Sequence, residues 1–243
     1  MRNTRVYLPT PLHAGETVNL DERARHHLVT VLRFESGMSC NIFDGQGNEY
    51  SATLEVKGKH AHALLQSKII SPRESPLALH LGQGICRNDR MDWVTQKAVE
   101  LGVQRITPII TERTQTRMDV KRETKRMEHW QAIIIAACEQ SGRCYLPTLH
   151  APLNVPEWLD ACTNLDACLL LDPQGAQTVQ SLPTNITSAA LFIGPEGGLS
   201  DKEREAAYQQ NWQGLRLGPR ILRTETAALT GISILQARWG DFI

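Results

Sequence analysis

Leu191-Phe192-Ile193-Gly194-Pro195-Glu196-Gly197-Gly198-Leu199-Ser200 is the stretch that decides how this chain is read. An apolar run of this kind is a buried strand. It ends in a turn holding Gly194, Pro195, Gly197 and Gly198. Glycines at that point let backbone approach a ligand closely or adopt positive φ. Ser200 and Glu203 have the spacing of a capping box, so a helix starts at Ser200. Strand, glycine-rich turn and helix make a βα unit whose turn has room for a bound molecule.

Leu215-Arg216-Leu217-Gly218-Pro219-Arg220-Ile221-Leu222-Arg223-Thr224-Glu225-Thr226-Ala227 repeats the idea. An apolar segment stops at Gly-Pro, and polar groups lead into a helix that Thr224 or Thr226 is placed to cap. Arg220, Arg223 and Glu225 set ionisable groups beside the turn, although each taken alone is explained by the helix end. In Ala136-Ala137-Cys138-Glu139-Gln140-Ser141-Gly142-Arg143 a helix stops at Gly142 and presents Glu139, Gln140 and Arg143. Cys138 has no histidine close by in sequence and reads as a buried thiol.

Outward from these loops, strands and helices alternate. Strands are expected at 77–81, 106–111, 167–171 and 189–193, with Pro108 admissible only at an edge or an end. Helices are expected at 91–101, closed by Gly102, at 121–139, with Trp130, Ile133, Ile134 and Ala137 on one face, and at 225–239. This pattern implies an α/β fold, a mostly parallel sheet covered by helices on both faces. Before residue 70 the chain is different: short strands separated by Gly and Asn turns, with one helix over 22–32 capped by Asp21, the pattern of a small β-barrel. Ser71-Pro72-Arg73-Glu74-Ser75-Pro76 cannot continue a helix and reads as the linker. The expected domains are therefore 1–72 and 73–243.

Composition narrows the function. The 243 residues include 41% hydrophobic ones and carry no formal net charge, enough core for a globular protein and no overall basicity. Charge is nevertheless clustered: Arg113, Arg117, Lys121, Arg122, Lys125 and Arg126 stand against Asp119 and Glu123. The cluster is either a solvated helix face or a phosphate-contacting patch. The six cysteines form no CxxC pair and no zinc-ligand spacing, and the start of the chain lacks a signal-peptide core, which together suggest a cytoplasmic protein with reduced thiols and no metal. No GxxxxGK[ST] occurs, and Gly82-Gln83-Gly84 is an incomplete dinucleotide fingerprint, so a nicotinamide oxidoreductase is disfavoured.

Taken in order, the segments resemble the RsmE family of the SPOUT superfamily across nearly the whole chain. The resemblance is carried by Arg5-Val6-Tyr7, His27-Leu28-Val29-Thr30-Val31-Leu32-Arg33, Arg90 to Val103, Thr111-Glu112-Arg113-Thr114, and the three loops above. One departure is Leu171-Asp172-Pro173, where relatives often carry a histidine or another residue before the proline. The resemblance implies a PUA-like RNA-binding barrel followed by a trefoil-knotted domain that binds S-adenosylmethionine (SAM). It implies a homodimer, with Trp130–Ala137 and the last helix as candidate interface, and methylation of a uridine N3 in 16S rRNA on the 30S subunit. A SPOUT enzyme for another RNA, or a non-catalytic ribosome-assembly protein on the same fold, are the rival readings. Under it, the cofactor site is expected from Leu171, Leu191, Ile193, Gly194, Gly197, Leu217, Gly218, Ile221, Leu222, Thr226 and Ala227. Arg223, Glu225, Glu139 and Arg143 are the catalytic candidates. Arg5, Arg25, Arg33, Arg113, Lys121, Arg122, Lys125 and Arg126 are the RNA-contact candidates.

Overall fold

The computed structural model describes residues 4–58, 60–70, 72–114 and 120–242; Arg117 and Asp119 of the charge cluster lie outside them. The chain divides into two compact units, 1–74 with 135–146, and 75–134 with 147–243. The division falls after Glu74, and 135–146, which the sequence assigned to the second domain, belongs to the first unit.

The first unit begins with β1 (Arg5–Tyr7), β2 (Thr17–Asn19) and α1 (Glu22–Arg25), which runs into a π-helical turn at His26–Val31. The helix expected over 22–32 thus changes type half-way, and the Leu32 N–H reaches the His27 carbonyl. Asp21 caps its start as expected, accepting from the Ala24 N–H at 2.7 Å. β3 (Ser39–Phe43), β4 (Glu49–Lys57) and β5 (His60–Ile69) complete a five-stranded sheet in the order β1-β3-β4-β5-β2, antiparallel except for β1 with β3. Period-two alternation puts Ile42, Leu54 and Leu65 inside with Val6 and Leu28.

Arg5 sits inside this unit and is 5% exposed. Its Nε donates to Glu49 Oε1 at 2.8 Å, and its Nη atoms donate to the Cys138 and Arg143 carbonyls at 2.6 and 2.9 Å. This corrects its assignment to RNA contact: every favourable partner of the guanidinium is internal. Burial alone would raise the Glu49 pKa, yet hydrogen bonds from Arg5, Cys144 and Asn41 hold it below the usual carboxylate value.

The second unit is built on a seven-stranded sheet, β12-β10-β11-β6-β7-β8 with β9 beside β7, parallel in every pairing. Its elements are β6 (Ala78–Gly84), α2 (Asn88–Glu100), β7 (Arg105–Ile110), α3 (Val120–Ser141), β8 (Thr148–Leu149), β9 (Leu153–Asn154) and α4 (Val155–Ala161). Then follow β10 (Ala167–Leu171), β11 (Ser188–Ile193), α5 (Asp201–Gln209), β12 (Gln213–Leu215) and α6 (Thr224–Trp239). The final turns of α3 belong to the first unit. Trp130 and Ile134, expected at an interface, are buried within the chain at 3% and 0% exposure.

Pro108 lies inside β7 and not at an edge or end. β8 pairs only with Arg105 and Ile106, and β9 only with Ile109 and Ile110, so the proline falls in the gap between two short neighbours. Its missing N–H therefore interrupts no ladder on that side.

His80, on β6, is 5% exposed; its Nε2 lies 2.8 Å from Thr107 Oγ1, and the Trp158 ring meets it edge-on. Burial foremost, then the charges of Arg105 and His150, pushes its pKa from 6.5 down to about 3. An unfolded chain takes up a proton at this residue below pH 6.5, whereas the folded one does not until about pH 3. Stability should therefore fall as pH drops through that window, by ~2 kcal/mol at pH 5 from this residue alone. Urea melts at pH 7 and pH 5 check this. His80→Gln is expected to shrink the acid-induced loss by that amount, and an equal loss in variant and parent would disprove it.

Candidate active site

The site grows from the ends of β10, β11 and β12. Their parallel arrangement brings the turns after Leu171, Ile193 and Leu215 to the same side of the sheet. Ser200 caps α5 as its spacing foretold: Ser200 Oγ accepts from the Glu203 N–H at 3.2 Å, and Glu203 Oε2 accepts from the Ser200 N–H at 2.8 Å. Glu203 also accepts from the Glu112 N–H at 2.8 Å, fixing the turn after β7 beside the glycine loop.

Thr224 does something different from the expected capping. The N-cap of α6 is Arg223, which makes no side-chain capping bond. Thr224 Oγ1 donates to the Gly194 carbonyl at 2.7 Å and accepts from Gln83 Nε2 at 2.9 Å. Both partners are far away in sequence and wholly or largely buried. The hydroxyl thus clasps the two loops and the central strand together.

Between the loops lies a cavity of about 470 Å³, a volume suited to a small-molecule ligand. Of the expected cofactor residues, Leu171, Ile193, Gly194, Gly197, Leu217, Gly218, Ile221, Leu222 and Ala227 line it. Leu191 does not: it is fully buried within the sheet, under α6 at Gly231. Thr226 is exposed and outside the lining. Arg223 lines the cavity, and Glu225 stands beside it, 3.9 Å from Arg90 Nε.

Glu139 and Arg143 are not brought to this cavity. Both belong to the first unit. Glu139 Oε1 accepts from Arg23 Nη1 at 2.9 Å and from the Tyr7 N–H at 3.0 Å, and Arg143 Nη2 donates to Glu74 Oε2 at 2.6 Å. Their place as catalytic candidates gives way to that of internal ion pairs. Cys138 is fully buried, and burial above all pushes its thiol up to about 12, so no thiolate is available there at neutral pH.

The cationic candidates also separate. Arg113 Nη1 donates to the Gly197 carbonyl at 2.9 Å and lines the cavity. Arg33 is exposed with φ of 57°, Arg25 is half-buried, Lys121, Arg122 and Lys125 are exposed on α3, and Arg126 is half-buried.

Sequence reasoning missed Arg90, Asp172, Glu196 and Arg204 as wall residues. Asp172 Oδ2 accepts from the Tyr208 hydroxyl at 2.6 Å and Oδ1 from the Gln174 N–H at 2.9 Å. It therefore ties the turn after β10 to α5. Burial first, and the Asp172 hydrogen bond next, pushes the Tyr208 phenol up to about 12, so it remains a donor. Five arginines, 90, 113, 204, 220 and 223, border the cavity against Asp172 and Glu196, a balance that favours an anionic partner at its mouth.

Residues 73–236 match the family model described as an RNA methyltransferase domain, and 20–65 match an RNA methyltransferase PUA domain. The chain is 34% identical over 241 residues to the ribosomal RNA small subunit methyltransferase E of Buchnera aphidicola from Schizaphis graminum, covering 99% of this chain and 98% of that one. The chain belongs to the ribosomal RNA small subunit methyltransferase E family. The family's solved members share its fold: the enzyme of that name from Neisseria gonorrhoeae, solved bound to S-adenosyl methionine, superposes with a TM-score of 0.93 at 37% identity over the full length of both chains. A Legionella pneumophila protein solved with SAM bound gives a TM-score of 0.96 at 41% identity, again over both full chains. The SPOUT-type α/β domain and the small PUA-like β domain expected from the sequence are those of the family.

Proposed function

We propose that this protein transfers the methyl group of SAM to N3 of a uridine in 16S rRNA, acting as a homodimer on the 30S subunit in the cytoplasm. The observation that carries this reading is the cavity itself. Its size, apolar walls and glycine loops suit an adenosyl group, and relatives of the same fold were solved with SAM bound. Among the described residues, no helix is long and apolar enough to cross a membrane, and no cluster of His, Cys, Asp or Glu could hold a metal.

The fit to the cofactor rests on close backbone packing. A Cβ on Gly194 would stand 3.0 Å from backbone of Gly198 and Leu199, so glycine leaves the loop folded tightly enough to keep the cavity open. Leu171, Ile193, Leu217, Leu222 and Ala227 would hold the adenosyl group, with backbone of Gly194, Gly197, Gly218 and Ile221 reading its polar edges. When bound, SAM supplies a methyl group on a sulfonium, an electrophile that needs no further activation.

The chain's own task is to orient the uracil and take its N3 proton. Arg223, on the cavity wall, stabilises negative charge on the uracil oxygens as that proton leaves. Glu225 accepts the proton. One of its carboxylate oxygens, Oε2, is buried beside Arg90 and makes no hydrogen bond among the described residues. Arg25, Arg33, Lys121, Arg122, Lys125 and Arg126 supply phosphate contacts.

The test is methyl transfer from labelled SAM to 30S particles lacking the modification, with nucleoside mass spectrometry of the product. 3-Methyluridine in 16S rRNA is the expected result. Glu225→Gln should lower kcat while SAM binding stands. SAM binding without any methyluridine would overturn the assigned target, and an unaltered kcat in Glu225→Gln would remove it as the base.

A further inference from the structure

We propose that Arg90 is a positioning residue for methyl transfer, holding the glycine loop and the start of α6 in register by standing between Glu196 and Glu225; this rests on the cavity being the SAM site. Arg90 lies in the first turn of α2 and lines the cavity. Its Nη1 donates to Glu196 Oε1 at 3.3 Å, and its Nε is 3.9 Å from Glu225 Oε2. One carboxylate comes from the glycine loop and the other from the first turn of α6, with Arg90 between them. Without the guanidinium, two negative charges would face each other across a partly buried space, where repulsion is weakly screened.

A second contact makes the same junction. α2 has no capping side chain of its own, and the N–H of its N-cap residue, Arg87, donates to Glu196 Oε1 at 3.0 Å. The glycine loop therefore supplies the cap of α2, and α2 returns a cation to the loop. Acidic groups are favoured at a helix N-terminus, so the two contacts act in the same direction. Glu225 is within ion-pair reach of Arg90 but beyond hydrogen-bond distance. Its Oε2 is thus oriented by charge and not by a hydrogen bond.

The expected effect of Arg90→Ala is a loss of SAM affinity of about 10–100-fold, the usual loss for a charge-assisted hydrogen bond. Hydrogen exchange at the amides of 194–200 should quicken in the cofactor-free protein. Arg90→Lys, which keeps the charge, should recover most of the affinity. Adding Glu196→Gln to Arg90→Ala should also tighten SAM binding relative to Arg90→Ala alone, because the repulsion is gone. A residue that only packs against the fold would show no such charge rescue. Calorimetry with SAM and exchange mass spectrometry on the full-length chain read these outcomes, and Arg90→Lys serves should Arg90→Ala not fold. Parental affinity and exchange in Arg90→Ala, or a double variant no tighter than the single one, would overturn the proposal. If the parent chain binds no SAM, the function assigned above fails; the exchange rates at 194–200 still decide whether Arg90 holds the loop.

Discussion

Gly84→Ala is expected to lower SAM affinity by up to ~100-fold, because returning the displaced loop to its binding position would cost about 1–3 kcal/mol. Gly84 ends β6, opposite the proline of the glycine loop. A Cβ there would stand 2.5 Å from the Pro195 nitrogen, 2.6 Å from its Cδ and 2.8 Å from the Gly194 carbonyl carbon. None of these atoms belongs to a flexible side chain, so the loop must move as a whole. Overpacking of this kind usually costs about 1–3 kcal/mol in stability, leaving a folded protein with a displaced loop. Calorimetric titration with SAM, beside thermal unfolding, separates the two effects. Parental affinity in a folded Gly84→Ala protein would show that the loop can relax away from the cavity. Gly218 is glycine for the other reason: its φ is +133°, and a Cβ there would meet nothing within 4 Å. Backbone conformation, and not contact, demands the glycine there.

Arg5→Met is expected to destabilise the first unit by about 3–5 kcal/mol, the cost of leaving one member of a buried ion pair alone. Glu49, 1% exposed, would keep hydrogen bonds from Asn41 and Cys144, and the Cys138 carbonyl would keep the Gly142 N–H, but it and the Arg143 carbonyl would lose the Arg5 guanidinium. Arg5→Met with Glu49→Met should recover part of the loss, since the charge is then removed with its partner, while the Cys138 and Arg143 carbonyls still lack the Arg5 guanidinium. Urea melts of the single and double variants measure both. The contrary outcome is specific: a surface phosphate contact would leave the melts unchanged and reduce the salt slope of RNA binding by about one unit. Such a result would return Arg5 to the RNA-contact residues.

These two residues show where sequence reading stops. A capping box spans four residues, so Ser200 and Glu203 announce α5 in any context. The glycines of 194–198 and 218, the apolar runs of β10 and β11 and the proline-rich break before β6 are likewise local facts. They led to the α/β domain and, through the family resemblance, to the eleven expected cofactor residues, nine of which line the cavity. Arg5, Glu139 and Arg143 were misread because a charged side chain in a sequence has no stated partner. Arg5 meets Glu49 across 44 positions and the Cys138 carbonyl across 133. Arg90 meets Glu196 across 106 positions, and Thr224 meets Gly194 across 30.

The sequence by itself determined most strands and helices, though not β8, β9 or α4, together with the two glycine loops and the motifs that carry the family resemblance. The elements and loops follow from backbone conformation and apolar periodicity within a few residues, and the family from the resemblance of the ordered motifs. Only the tertiary structure decided which charges are buried and paired, why Pro108 is tolerated inside a sheet, and which hydroxyl clasps the loops. Burial of a charge or a hydrogen bond is favourable only where the chain's path brings a partner within about 3 Å, and that path is a property of the whole fold.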